Sequence, residues 1–481
     1  MTGNTHLFRL CSPKFAPIPT MSSTTTYNPI DNLRDDAICA HSACIRLTQA
    51  SRFEDALAAA RQYETLMDFC LQWASQRKPS ITNTYQFHVL TAQALQASLY
   101  VRLGRYSAGV QMCEQALDKF DVITTDAQES AHLRICVLHT LASANFEMGD
   151  HHQAMVCAQR AVTFGRTFYP DGTYEVLMDL ASVLQFMASC AIDTATDAAP
   201  QVIGWLSEAL AVMHLPQVHE RITQTKMLSR VAGAELMMGH YMFTHPRSAT
   251  AAGDRVTGLE HVQRAAQIYR QINSRPTQLA STQVLIARMI TQCADDIDSS
   301  GCDEHAQRLR GAGQVLAVRA VDELCAQVES EPVDILTRYH LATMALCAAT
   351  LVTSAAGVEE PNSWAGQELQ SMLRCATTQY GACIDDSADE TERNAYMPHM
   401  CKAYLMLARA NWLHQNFDEA LRNLMVVFYN TPQDDSLHTV ESANLLIDTI
   451  DHELPADADR QMMRTCRDIQ ARRPLRIMAR L

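Results

Sequence analysis

The chain has 481 residues, 47% of them hydrophobic, and a formal net charge of −14, which is enough for several domains or one long repeat array. That acidity opposes a primary role in binding nucleic acid, where neutralising phosphate supplies most of the affinity. Only 17 Gly and 16 Pro are present, few for a strand-rich fold, and apolar positions recur mostly at three and four residues, the period of an amphipathic helix.

Residues 1–33 read as a disordered leader. They carry Arg9, Lys14 and several Ser and Thr, with no acid before Asp31. That composition resembles a mitochondrial presequence, whereas Met21-Ser22-Ser23 is an ordinary cytosolic start. The expectation is cytoplasmic residence, with mitochondrial residence as the alternative.

From residue 35 onward the chain predicts paired helices. Phe53-Glu54-Asp55-Ala56-Leu57 opens a second helix, with Ser51 standing where a turn glycine is expected. In the next pair Ala97 and Tyr100 lie on the first helix, Gly104 and Tyr106 mark the turn, and Gly109, Cys113 and Ala116 lie on the second. In the third, Leu141 and Ala142 precede Gly149 and His151, and Ala154, Ala158 and Ala161 follow. Small residues let two helices approach closely, an aromatic near the turn fills the gap between pairs, and glycine accepts turn angles that strain other residues. Phe168-Tyr169-Pro170-Asp171-Gly172 then stops one helix before Val176-Leu177-Met178-Asp179-Leu180-Ala181 begins the next.

Between 194 and 385 the signature fades while helical amphipathicity continues. Helices are predicted near 217–243, 254–272, 276–297, 303–329, 332–357 and 361–385, separated by Pro246, Gly253, Pro276, Ser299-Ser300-Gly301, Pro332 and Pro361. The clearest unit comes last. Leu407-Ala408-Arg409-Ala410-Asn411-Trp412 leads through a polar break to Phe417-Asp418-Glu419-Ala420-Leu421 and closes at Pro432.

That order of a leucine and a small residue, a break, an aromatic, an alanine three residues on and a closing proline resembles a tetratricopeptide (TPR) repeat. Gly104 and Gly149 are 45 residues apart, longer than the usual repeat of about 34 residues. The chain is thus similar to long-helix TPR arrays such as kinesin light chains and the C-terminal region of SMYD methyltransferases. The resemblance implies an all-α, TPR-like solenoid of about nine hairpins, with N-terminal repeats over 35–193, degenerate repeats over 194–385 and C-terminal repeats over 386–471. Each hairpin exposes an apolar face that its neighbour buries. A basic tail closes the chain at 472–481; from Arg464 on, six arginines face only Asp468. A solvated, frayed terminus is expected there, with a strip for docking on an acidic surface as the sharper reading.

The resemblance also implies a groove lined by first helices that holds a partner peptide or helix. The positions expected to be exposed there are Arg102, His139, Phe146, Lys402, Arg409 and Trp412. Lys402 and Arg409 are seven residues apart and share a helical face. With Trp412 they would suit a carboxylate or an acidic peptide.

Neither cofactor, metal nor catalytic residue is expected. The sixteen cysteines contain no C-x-x-C pair, and cysteine beside Ala and Leu on helices behaves as a small hydrophobe. In Cys39-x-His41-x-x-Cys44 the helical spacing aims the three side chains apart, against zinc geometry. The sequence holds no phosphate loop, dinucleotide fingerprint, H-E-x-x-H or G-x-S-x-G elbow. No apolar run is expected to span a bilayer, Met344 to Val358 coming nearest. The function expected is therefore a non-enzymatic scaffold or adaptor in a multiprotein assembly. A helical-repeat subunit of an enzyme complex and an organellar RNA-binding repeat protein are the alternatives.

Overall fold

The computed structural model describes residues 29–478 apart from 51, 121–126, 195–198, 220–223, 247–250, 273–275, 299–302, 331–332, 354–357, 388–389, 432–436 and 455–459. The expected leader through residue 28 and Ser51 therefore lie outside the described residues, as do the tail side chains from 472 onward. All regular structure among the described residues is helical.

Two compact units divide the chain, Met1–Gly258 and Leu259–Leu481. In the first, α1 (Pro29–Gln49) pairs with α2 (Phe53–Arg77), and α3 (Thr82–Arg102) with α4 (Tyr106–Phe120). Next come α5 (Ala127–Glu147) with α6 (His151–Arg166), α7 (Tyr174–Asp193) with α8 (Ala199–Met213), a short α9 (Pro216–His219) and α10 (Gln224–Thr244). The division falls inside α11 (Ala251–Ile272). In the second unit α12 (Pro276–Asp298) pairs with α13 (Asp303–Ser330), α14 (Ile335–Val352) with α15 (Trp364–Asp385), and α16 (Glu390–Leu413) with α17 (Phe417–Asn430). The chain ends in α18 (Leu437–Glu453) and α19 (Gln461–Met478). First helices also touch sideways, α3 to α5 to α7 to α10 in one unit and α12 to α14 in the other. This is the all-α, TPR-like solenoid construction that the sequence implied.

The turns repeat one hydrogen-bond pattern. The N–H of Gly104 bonds to the Val101 carbonyl and that of Arg105 to the Tyr100 carbonyl, at 3.1 and 2.9 Å. Gly149 and Asp150 do the same to Phe146 and Asn145, both at 2.9 Å, and Gln415 and Asn416 to Trp412 and Asn411, at 2.9 and 2.8 Å. This is the Schellman closure, which needs a left-handed residue at its corner. The corner φ is +71° at Gly104, +83° at Gly149 and +58° at Gln415. The last is a side-chain-bearing residue doing glycine's work.

Beyond each turn a small residue sits at the crossing of the two helices. Ala56, Ala154 and Ala420 are fully buried, and a Cβ on Gly109 would lie 2.8 Å from Val101 Cγ2. Asn145 and Asn411, both buried, hold the same place before their turns. Each Nδ2 donates to the carbonyl four residues back, Leu141 at 3.0 Å and Leu407 at 2.9 Å.

The cores belong to interfaces between hairpins. One cluster runs from α12 to α16 through Val284, Val321, Leu341, Leu373 and Leu407. With each buried Leu or Val worth about 1.5–3 kcal/mol, a hairpin taken alone would forfeit most of this. Near the N-terminus, the ring of buried Tyr63 of α2 lies tilted against His41 of α1 at 4.9 Å. Its hydroxyl meets His88 Nδ1 of α3 at 3.1 Å.

Predicted helix limits shift where caps intervene. α14 starts at Ile335, its cap Asp334 accepting the Thr337 N–H at 2.8 Å. α15 starts at Trp364 after Ser363 accepts the Gly366 N–H at 3.0 Å. The expectation about bilayer-length runs needs correction: α7 and α14 are both long and apolar enough to cross a membrane. Most of α7 is buried among its neighbours, with Val176, Leu177, Leu180, Val183, Leu184 and Met187 inaccessible. α14 keeps Cys347 and Thr350 exposed. In α19, Arg467 reaches Asp448 at 2.6 Å and Asp451 at 3.2 Å on α18, so part of the basic end docks on the chain's own acidic residues.

Candidate partner-binding faces

In the second unit, α12, α14 and α16 present Arg288, Cys347, Lys402 and Arg409 as exposed residues. None of the three cations makes an ion pair among the described residues. The surroundings raise the Cys347 thiol pKa: burial pushes it up, and Arg288 and Lys402 pull against that. Felt by one thiol, two cations from α12 and α16 therefore share a site with a side chain of α14.

One turn before Lys402, the same helices bring aromatic rings together. Tyr339 of α14 lies 5.3 Å from Tyr396 and 5.8 Å from His399, both on α16, and 5.9 Å from Tyr380 of α15. His399 stacks on Tyr380 at 5.9 Å. The Tyr380 hydroxyl pairs with Thr343 Oγ1 at 3.1 Å, and burial raises its pKa. Tyr380 is buried, whereas Tyr339, Tyr396 and His399 are half-buried and keep an accessible edge. Pro398 lies inside α16 between Tyr396 and His399, a position that removes one helical hydrogen bond. Rings beside unneutralised cations suit an acidic segment carrying an apolar or aromatic anchor.

In the first unit the corresponding face is committed internally. On α5, His132, Cys136, His139, Ser143 and Phe146 form one stripe, and α7 answers with Asp179, Ser182 and Phe186. Arg230 of α10 donates to Ser182 Oγ at 2.9 Å and to the Met178 carbonyl at 3.4 Å.

The six residues expected to line a groove fare differently. Lys402 and Arg409 are exposed on one helix face, as the seven-residue spacing requires. His139 is not exposed: it is buried, 5.2 Å from the Phe186 ring, because its side of α5 faces the next hairpin. Burial lowers its pKa to about 4. Arg102 is half-buried, with its guanidinium 5.4 Å from the Phe53 ring of α2, so it packs between hairpins. Phe146 is half-buried between His151 at 4.9 Å and Phe186 at 6.0 Å. Trp412 is half-buried against the C-terminal core, its Nε1 donating to Glu453 Oε2 at 2.7 Å. Phe146 and Trp412 occupy the same place before their turns, a packing place in both.

Sequence reasoning missed Arg288, Cys347, Tyr339, Tyr396 and His399, because the residues that complete each other lie on different hairpins. Of the cysteine–histidine triplet near the N-terminus, Cys39 is exposed while His41 and Cys44 are buried.

No protein-family model matches the chain, and no curated protein matches it in sequence. Among solved structures it is similar to BtubC (BKLC) from P. vanneervenii, with 15% identity over 54% of this chain and 91% of that one and a TM-score of 0.39. It is similar to the S. pombe nuclear import adaptor Nro1, with 10% identity over 66% of this chain and 99% of that one and a TM-score of 0.42. The quorum sensor NprR from B. thuringiensis gives 12% identity over 84% of this chain and all of that one, with a TM-score of 0.32. Likenesses at this level assign neither a family nor an activity.

Proposed function

We propose that this protein is a non-enzymatic scaffold or adaptor of the cytoplasm that holds a segment of a partner protein on the α12–α14–α16 face. The observation that carries this reading is the set of exposed cations Arg288, Lys402 and Arg409, without ion pairs among the described residues, on the helices α12 and α16, with Tyr339, Tyr396 and His399 gathered where α16 meets α14. In a chain of net charge −14, three exposed cations without an ion pair among the described residues favour an acidic segment. The ring cluster offers a seat for one apolar or aromatic side chain of that segment, in the manner of peptides read by complementary pockets on a helical groove. Rings held by packing on three helices lose little freedom on binding, so the anchor contributes most of the affinity.

Affinity purification of the full chain beside its Arg288→Glu, Lys402→Glu, Arg409→Glu triple variant, read by mass spectrometry, tests this. Reproducible partners captured by the parent chain and lost by the variant are expected. Each charged hydrogen bond lost is worth about 1.5–3 kcal/mol, so the loss should exceed tenfold. Partners that persist on the variant, or none captured by either, would overturn the reading. Imaging C-terminally tagged protein beside a chain starting at Met21 tests the cytoplasmic assignment; mitochondrial signal from the full chain alone would sink it.

A further inference from the structure

Three ligating atoms of the first unit converge where α5 meets α7. His132 and Cys136 are one turn apart on α5, and Asp179 comes from α7. Asp179 Oδ2 lies 2.5 Å from His132 Nδ1 and 3.3 Å from Cys136 Sγ, and Sγ lies 3.9 Å from Nδ1. A tetrahedral zinc-type ion with bonds of about 2.0–2.3 Å needs edges of about 3.3–3.7 Å between its ligands. The two edges that include sulfur are already near that length. Only the imidazole–carboxylate edge is short, as a hydrogen-bonded pair requires.

One oxygen, Asp179 Oδ2, accepts from both His132 Nδ1 and Cys136 Sγ, so a carboxylate of α7 gathers an imidazole and a thiol from one face of α5. Arg230, the cation of the next first helix, is spent on Ser182 and the Met178 carbonyl. The side chains of His132 and Asp179 remain 13% and 19% exposed, which leaves an approach from solvent. His139, next on the stripe, packs against Phe186 and is not counted as a ligand.

We propose that His132 Nδ1, Cys136 Sγ and an Asp179 oxygen bind one divalent cation of the zinc and cobalt class, with a fourth position left to water or to a ligand from a partner. Binding exchanges protons for metal: Cys136 binds as the thiolate and gives its proton to solvent, and His132 Nδ1 binds only once it carries no proton. The ion would tie neighbouring hairpins together through their first helices.

Cobalt(II) titration of the full, chelator-stripped protein tests the site. One equivalent should bind saturably, with tetrahedral ligand-field bands in the visible and thiolate-to-cobalt charge transfer in the near ultraviolet, and zinc should displace it. The charge-transfer band should vanish in Cys136→Ser and persist in Cys157→Ser, which alters a buried cysteine of α6. Asp179→Asn should weaken binding at least tenfold. A parent protein that shows no saturable one-equivalent spectrum overturns the proposal without recourse to any variant. So does a charge-transfer band that survives in Cys136→Ser.

Discussion

Trp412 Nε1 donates to Glu453 Oε2 across 2.7 Å, tying the end of α16 to the end of α18. An aromatic that the repeat pattern places on a binding surface is thereby engaged in holding the last hairpins together. Trp412→Phe keeps the packing and loses the bond, which lies at an exposed acceptor, and should cost about 0.5–1 kcal/mol. Trp412→Ala also loses the packing and should cost about 3 kcal/mol. Urea unfolding would measure both; capture of partners by the folded Phe variant should be unchanged.

Turn geometry makes a prediction of opposite signs. Gln415 holds a φ of +58° that glycine adopts freely, so Gln415→Gly should stabilise by up to about 1 kcal/mol. Gly149→Ala should destabilise by about 1 kcal/mol, since φ is +83° there and no atom lies close enough to clash. Denaturation midpoints that move in the same direction for the two would contradict the shared corner conformation.

Two helical glycines separate propensity from packing. A Cβ at Gly204, exposed within α8, meets nothing within 4 Å, so Gly204→Ala should gain about 0.5–1 kcal/mol. At Gly366, in the first turn of α15, a Cβ would collide with the Glu360 carbonyl oxygen. Gly366→Ala should cost about 1–3 kcal/mol, visible as a lowered Tm.

Acid should weaken the N-terminal hairpins. Burial lowers His41 and His88 from an ordinary 6.5 to about 4, and His41 further lowers His88. The unfolded chain takes up these protons near pH 6.5, whereas the folded chain takes them up only near 4. Their contribution is therefore intact above 6.5 and drains away as pH falls to 4, at up to about 1.4 kcal/mol per pH unit for each histidine. His41→Phe should flatten the fall of Tm between pH 6.5 and 4; an unchanged slope would show that these rings titrate normally.

What could be read in the residues, and what could not, follows from distance along the chain. Gly104 and Gly149 announce their turns because the left-handed corner selects glycine locally. Gln415 adopts the same corner unannounced, and Asn145 and Asn411 share a buried role that only their hydrogen bonds reveal. Lys402 and Arg409 were legible because seven residues of helix set them on one face. Tyr339 and His399 meet only when separate hairpins stack, so no local rhythm connects them. His139 was misplaced for a related reason. A first-helix residue can face the groove or the next first helix, and periodicity within its own helix does not say which.

The Schellman corners carry a last consequence. Three of them keep the same pair of main-chain bonds, although the corner residue is glycine twice and glutamine once and the residue before it is leucine, methionine or histidine. The period of the array is thus written in carbonyls and amides. Side chains are left at liberty to drift, and kinship among such chains would outlast any resemblance in their letters.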